Sequence, residues 1–260
     1  MEKLDLQNEL KGVCDEWQEL FDLSNLEKGA INFSSPSKGN VFNAFKLFSP
    51  DKTRILIIGQ DPYPKSNKAC GLAFMHKKDY PYADASLKNI FKAIWAYKNE
   101  KLFDNAPKNL EWNTCPLEWI ANNGILLLNT ALTYEKDNKI KHQDYWNSFI
   151  KNIITNILTY NSENLAIFLW GKDSKKLFLE CINSFGININ DYNLANEIIA
   201  DNKRKTNKIT RKVLCLTTGH PTQRYDVVHK YGFSNEAPNH FKACDKFLNK
   251  DIWKDYPEKS

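Results

Sequence analysis

No apolar run in this sequence approaches the ~20 residues needed to span a bilayer. No membrane helix is therefore expected. The 6 cysteines and 5 histidines form neither a CxxC pair nor a group at zinc-ligand spacing, which argues against a structural metal site and a dithiol redox motif. Cys14, Cys70, Cys115, Cys181, Cys215 and Cys244 are scattered, as reduced and mostly buried thiols of an intracellular protein would be. A GxSxG elbow and a GxxxxGK(S/T) loop are both missing, so the usual signatures of an α/β hydrolase and a P-loop enzyme are absent. The opening residues, MEKLDLQNEL, are charged and lack the apolar core of a secretory signal. With no internal repeat and no long linker, one domain over residues 1–260 is expected. It would have a helical segment over 1–40 and an insertion at about 186–212, and would be cytoplasmic (nucleoid-associated) or nuclear.

What is present suits a packed globular protein: 42% hydrophobic and 13% aromatic residues. Lys and Arg number 36 against 31 Asp and Glu, a formal charge of +5. That excess tolerates a polyanion partner without selecting one.

Apolar residues at helical spacing (Leu10, Val13, Trp17, Leu20, Phe21) predict an amphipathic helix over about 6–23. A short helical stretch follows around Phe42, Phe45 and Phe48. Four continuous apolar runs, at 55–58, 125–128, 165–169 and 213–216, read as strands buried on both faces. Between them, helical patterns cover about 86–97, 145–158 and 174–185. Strand alternating with helix predicts an α/β fold, a three-layer αβα sandwich around a central four-stranded parallel sheet. Ligands of such sheets sit at the carboxyl ends of the strands, which singles out Asp61, Asn129, Trp170-Gly171 and His220. The segment at 186–212 is rich in Asn, Asp and Lys and ends in DNKRKTNKITRK. It reads either as a solvated insertion with a helix near 194–200 or as a basic arm following phosphates. His76, His142, His229 and His240 lack a motif context and are expected at the surface.

Four motifs lie at or near the predicted strand ends: GQDPYP at 59–64, GLAF at 71–74, LLLNTALT at 126–133 and GHP at 219–221. Taken alone, the Asp-Pro turn is a common structural feature. His220 could be a core or capping histidine, Asn129 a cap, and Phe74 and Tyr63 packing residues. In this order, with VFNAFKLFSPDKTRILII, SLKNIFKAI, FLWG and KYGFSNEAPNHF around them, they resemble the uracil-DNA glycosylase family over about 41–248.

The resemblance implies a DNA glycosylase needing no metal and no cofactor, a monomer acting on single- or double-stranded DNA with the target base flipped out. Asp61 would steady the oxocarbenium ion and orient water; His220, as a neutral imidazole, would steady the departing base. Each contribution is typically of order 10²–10⁴-fold. Asn129 would read the pyrimidine edge, Phe74 would stack on it, and Tyr63 would exclude a C5 methyl; Gln60 joins this base-binding group. Pro64, Ser86, Lys172, Thr222, Arg224 and Tyr225 would contact DNA.

Three positions depart from the family. Pro64 stands where the first motif usually ends in His. Lys172 replaces a small hydroxyl residue. Arg224 occupies the place of an apolar wedge, with Tyr225 beside it as another candidate to fill the gap. The implied function is excision of uracil in base-excision repair. Two alternatives stay open: a glycosylase of 5-substituted or glucosylated cytosine in phage DNA, and a non-catalytic DNA- or partner-binding module.

Overall fold

The four apolar runs are strands, and each is buried from end to end. A computed structural model describes residues 2–29, 31–78, 80, 83–110, 112–160, 163–185, 198–199, 212–222 and 232–257. In chain order the strands are β1 (Glu2–Lys3), β2 (Asn32–Phe33), β3 (Ile55–Gly59), β4 (Ile125–Asn129), β5 (Leu165–Trp170), β6 (Ile198–Ile199) and β7 (Val213–Thr218). The α-helices are α1 (Leu6–Glu9), α2 (Asp15–Leu20), α3 (Ser24–Lys28), α4 (Ala85–Asn99), α5 (Leu117–Asn122), α6 (Lys139–Tyr160), α7 (Lys172–Asn183) and α8 (Phe233–Leu248).

The main sheet runs β4-β3-β5-β7-β6. Its four long strands are parallel, with Gly59 opposite Asn129 and Trp170 opposite Thr218. Helices cover both faces: α4 packs on α8, which lies over β5 and β7, while α6 packs on α7, which lies against β5. This is the expected αβα arrangement. Since β4 and β5 flank β3 on opposite sides, the chain reverses direction across the sheet at β3. Loops leaving neighbouring strand ends there diverge and open a crevice.

Two expectations are corrected. The single helix expected over 6–23 is broken into α1 and α2, with α3 following. Gly12 takes φ +83°, a left-handed conformation that no α-helix continues through. The apolar spacing survives the break because Leu6 and Leu10 pack on the hydrophobic core while α2 faces an aromatic cluster. Trp17 and Phe21 meet Phe42, Phe45 and Phe149 at ring-centroid distances of 5.0–5.6 Å in four pairings. The helix proposed near 194–200 falls mostly outside the described residues, but 198–199 form a strand antiparallel to β7. Two β-branched residues suit that open edge. The stretch around Phe42–Phe48 narrows to a 3₁₀ turn at Asn43–Phe45.

The histidines expected at the surface are also buried where described: His76, His142 and His240 are each at most 1% exposed. His229 lies outside the described residues. Burial lowers the pKa of His240 to about 4, against about 6.5 unfolded. Between those values the folded chain binds fewer protons than the unfolded one, so this group is neutral to stability above pH 6.5 and subtracts as pH falls toward 4. Asp245, raised to about 6 mainly by burial, works the other way: it favours folding at low pH, and that contribution is lost as pH rises through 6. Replacing His240 by Leu is expected to stabilise the protein at pH 5 by about 2 kcal/mol more than at pH 8, as read from denaturant midpoints at the two pH values. Equal changes at both would show that His240 titrates as it does unfolded.

Candidate active site

The site is assembled from loops that leave the carboxyl ends of β3, β4 and β7. Backbone bonds lace the first two together: Thr130 and Ala131 donate N–H to the carbonyls of Gly59 and Gln60 at 3.0 and 3.1 Å. The Thr130 hydroxyl donates to Gln60 O at 2.8 Å. The GLAF segment closes the side of the sheet, because β4 is an edge strand and its Leu127 carbonyl accepts from Ala73 N at 3.1 Å. Between these loops lies a cavity of about 290 Å³. Gln60, Asp61, Tyr63, Pro64, Phe74, Ser86, Asn129 and His220 all line it.

Asp61, whose side chain is 9% exposed, pairs with Lys139 Nζ at 2.7 Å through Oδ2. Its Oδ1 accepts from Gln143 Nε2 at 3.3 Å. Both partners stand on the first turns of α6. His220 faces the same cavity from β7. Thr222 N–H donates to His220 Nδ1 at 3.2 Å, and a backbone N–H can only donate. Nδ1 is therefore an acceptor, and the neutral ring carries its proton on Nε2. Burial lowers the His220 pKa, with Asp173 opposing and the Lys139 charge adding to the effect. Neutral His220 is thus a hydrogen-bond donor at neutral pH. Its loop is pinned by Asn89 of α4, which donates to the Pro221 carbonyl at 2.6 Å.

Tyr63 is fixed from several sides. Its hydroxyl donates to Phe74 O at 3.0 Å, and its carbonyl accepts from Ser35 Oγ at 2.5 Å. His76 meets the ring edge-on at 4.6 Å between centroids, and Lys68 Nζ lies 4.3 Å from the ring centroid. Lys68 is itself paired with Asp84. Phe74 takes φ +64°, a strained conformation for a bulky residue of the kind that concentrates at functional sites. Its ring lies 5.4 Å from Trp170 and 6.0 Å from His220.

Sequence reasoning did not find Lys139, Gln143, Lys68 or Asn89. Gln60 lines the cavity, but its amide is bonded to Asp173. Lys172 and Thr222 lie outside the cavity, in an adjoining cleft that shares Gln60 and His220 with it. Arg224 and Tyr225 fall outside the described residues, as does most of 186–212. Among the described residues, no group of His, Cys, Asp and Glu is arranged to hold a metal, and no helix is long and apolar enough to cross a membrane.

The profile of the uracil DNA glycosylase superfamily matches residues 45–248. The chain belongs to that superfamily. It is a DNA glycosylase. A uracil-DNA glycosylase of Francisella tularensis subsp. tularensis (strain WY96-3418) is 37% identical over 224 residues, covering 85% of this chain and 81% of that protein. The one from subsp. novicida (strain U112) is 34% identical over 235 residues, covering 89% and 87%. Among solved structures, wild-type UNG of Nitratifractor salsuginis aligns with TM-score 0.60 at 19% identity, over 98% of this chain and 97% of that one. Mimivirus uracil-DNA glycosylase aligns with TM-score 0.58 at 23% identity, over 88% and 77%. At those identities the structural likeness speaks for the fold of the glycosylase.

Gly59 lies behind the Asn129 amide that lines the cavity. A Cβ there would collide with Asn129 Oδ1 and come within 2.9 Å of Ala73 Cβ. Gly59→Ala is expected to displace the Asn129 amide and lower glycosylase turnover by about 100-fold, with far-UV circular dichroism unchanged. Turnover within a factor of about two of the parent would show that Asn129 can move without consequence.

Proposed function

We propose that the glycosylase hydrolyses the bond between deoxyribose and uracil in DNA, leaving an abasic site for base-excision repair. One observation carries this reading: an ionisable carboxylate and a neutral imidazole donor open on the same small cavity, from loops far apart in the chain. About 290 Å³ is at the small end for ligand pockets and suits one flipped nucleobase. Breaking the C1′–N bond leaves positive charge on the sugar and negative charge on the base. Asp61 stabilises the first and orients the attacking water; His220 Nε2–H donates to O2 of the departing base.

Asn129, 5% exposed at the end of β4, offers an amide that pairs with N3–H and O4 of uracil. Phe74 stacks on the ring. Tyr63 stands against C5, and the bonds that fix it give the wall little freedom to retreat. That rigidity favours uracil over thymine and over cytosine with a bulky C5 group. Pro64 and Ser86, which line the cavity, with Lys172 and Thr222 in the adjoining cleft, guide the DNA strand. Arg224 or Tyr225 fills the gap that the flipped base leaves.

An oligonucleotide panel with one uracil, thymine or 5-substituted cytosine tests the assignment. Alkali-sensitive abasic sites are expected on the uracil strand alone. Asp61→Asn and His220→Ala are each expected to lower kcat by about 10²–10⁴-fold while the protein still binds DNA. Parental turnover in either variant would remove that residue from the chemistry. Activity confined to modified cytosine would change the substrate, and silence on every strand with binding retained would favour a non-catalytic module.

A further inference from the structure

We propose that Lys139 is a positioning residue that holds Asp61 in the free enzyme and passes to a phosphate of the DNA strand when the target nucleotide enters. This rests on the role given to Asp61 above. Lys139 Nζ lies 2.7 Å from Asp61 Oδ2, yet its side chain is 42% exposed. The pair is therefore open to solvent on the lysine side.

One physical conflict points to a move. A carboxylate that must face a sugar turning cationic cannot keep an ammonium on the same side, since the two positive charges would compete for it. DNA supplies another anion for that ammonium: the deoxyribose that meets Asp61 carries its own phosphates. Gln143, one turn further along α6, keeps its bond to Asp61 Oδ1 and holds the carboxylate in place once Lys139 leaves.

The test is the salt dependence of binding to a short single-stranded oligonucleotide with one tetrahydrofuran abasic analogue, measured for the parent, Lys139→Met and Lys139→Arg. One phosphate contact on single-stranded DNA contributes a slope of about 0.7 in log Kd against log salt. Lys139→Met is expected to lose that increment and to bind several-fold more weakly at low salt. Lys139→Arg is expected to keep the slope. In uracil excision the Met variant is expected to raise KM more than it lowers kcat. A parental slope in Lys139→Met, or a loss confined to kcat at unchanged KM, would overturn the proposal and make Lys139 a permanent counter-ion of Asp61. Should Lys139→Met not fold by circular dichroism, Lys139→Gln is read in its place under the same criteria. The slope comes from binding alone, so it decides the question whichever base is excised. If the parent fails to release uracil, the substrate assignment falls separately.

Discussion

The Asp61 carboxylate, an acceptor, and the neutral His220 imidazole, a donor, share one cavity, and the architecture serves to keep them there. They come from opposite halves of the sequence. Only a parallel sheet brings their loops to one edge, because every parallel strand delivers its carboxyl end to the same side. The register that sets Gly59 opposite Asn129 brings Asn129 beside the loop that carries Asp61. The bonds from Thr130 and Ala131 to the β3 loop tie the two loops into a single unit.

The charge states follow from surroundings rather than residue type. His220 stays neutral because it is partly desolvated, and its Nδ1 accepts a backbone N–H that no protonated ring could accept. Asp61 is held by donors from one helix, a lysine and a glutamine a turn apart. Tyr63 and Phe74 are linked by a hydroxyl–carbonyl bond, so the proposed wall against C5 and the proposed stacking surface are not independent. A change that shifts one shifts the other.

Much of this was legible in the sequence. Strands buried on both faces leave continuous apolar runs, and each run ended within two residues of the strand it marked. Asp61, Asn129 and His220, past three of the runs, line the cavity, whereas Trp170 and Gly171 past the fourth line the adjoining cleft. Other features left no local trace. Gly12 breaks a helix whose apolar spacing persists through the break. Pro238 lies inside α8, a helix the sequence reading did not assign. Lys139, Gln143 and Lys68 act on partners distant in sequence, and no period or motif announces such pairs. The buried histidines left no trace because imidazole is read as polar, whereas the ring also packs among aromatic groups, as His76 does between Tyr63 and Tyr80.

The most direct measurement is a crystal structure of the protein with uracil and an abasic oligonucleotide bound together. The account predicts the uracil ring inside the cavity with O2 on His220 Nε2 and its N3–O4 edge on Asn129. The Asp61 carboxylate should lie beneath C1′ of the sugar. Uracil bound outside the cavity, or a sugar that meets neither Asp61 nor His220, would contradict it.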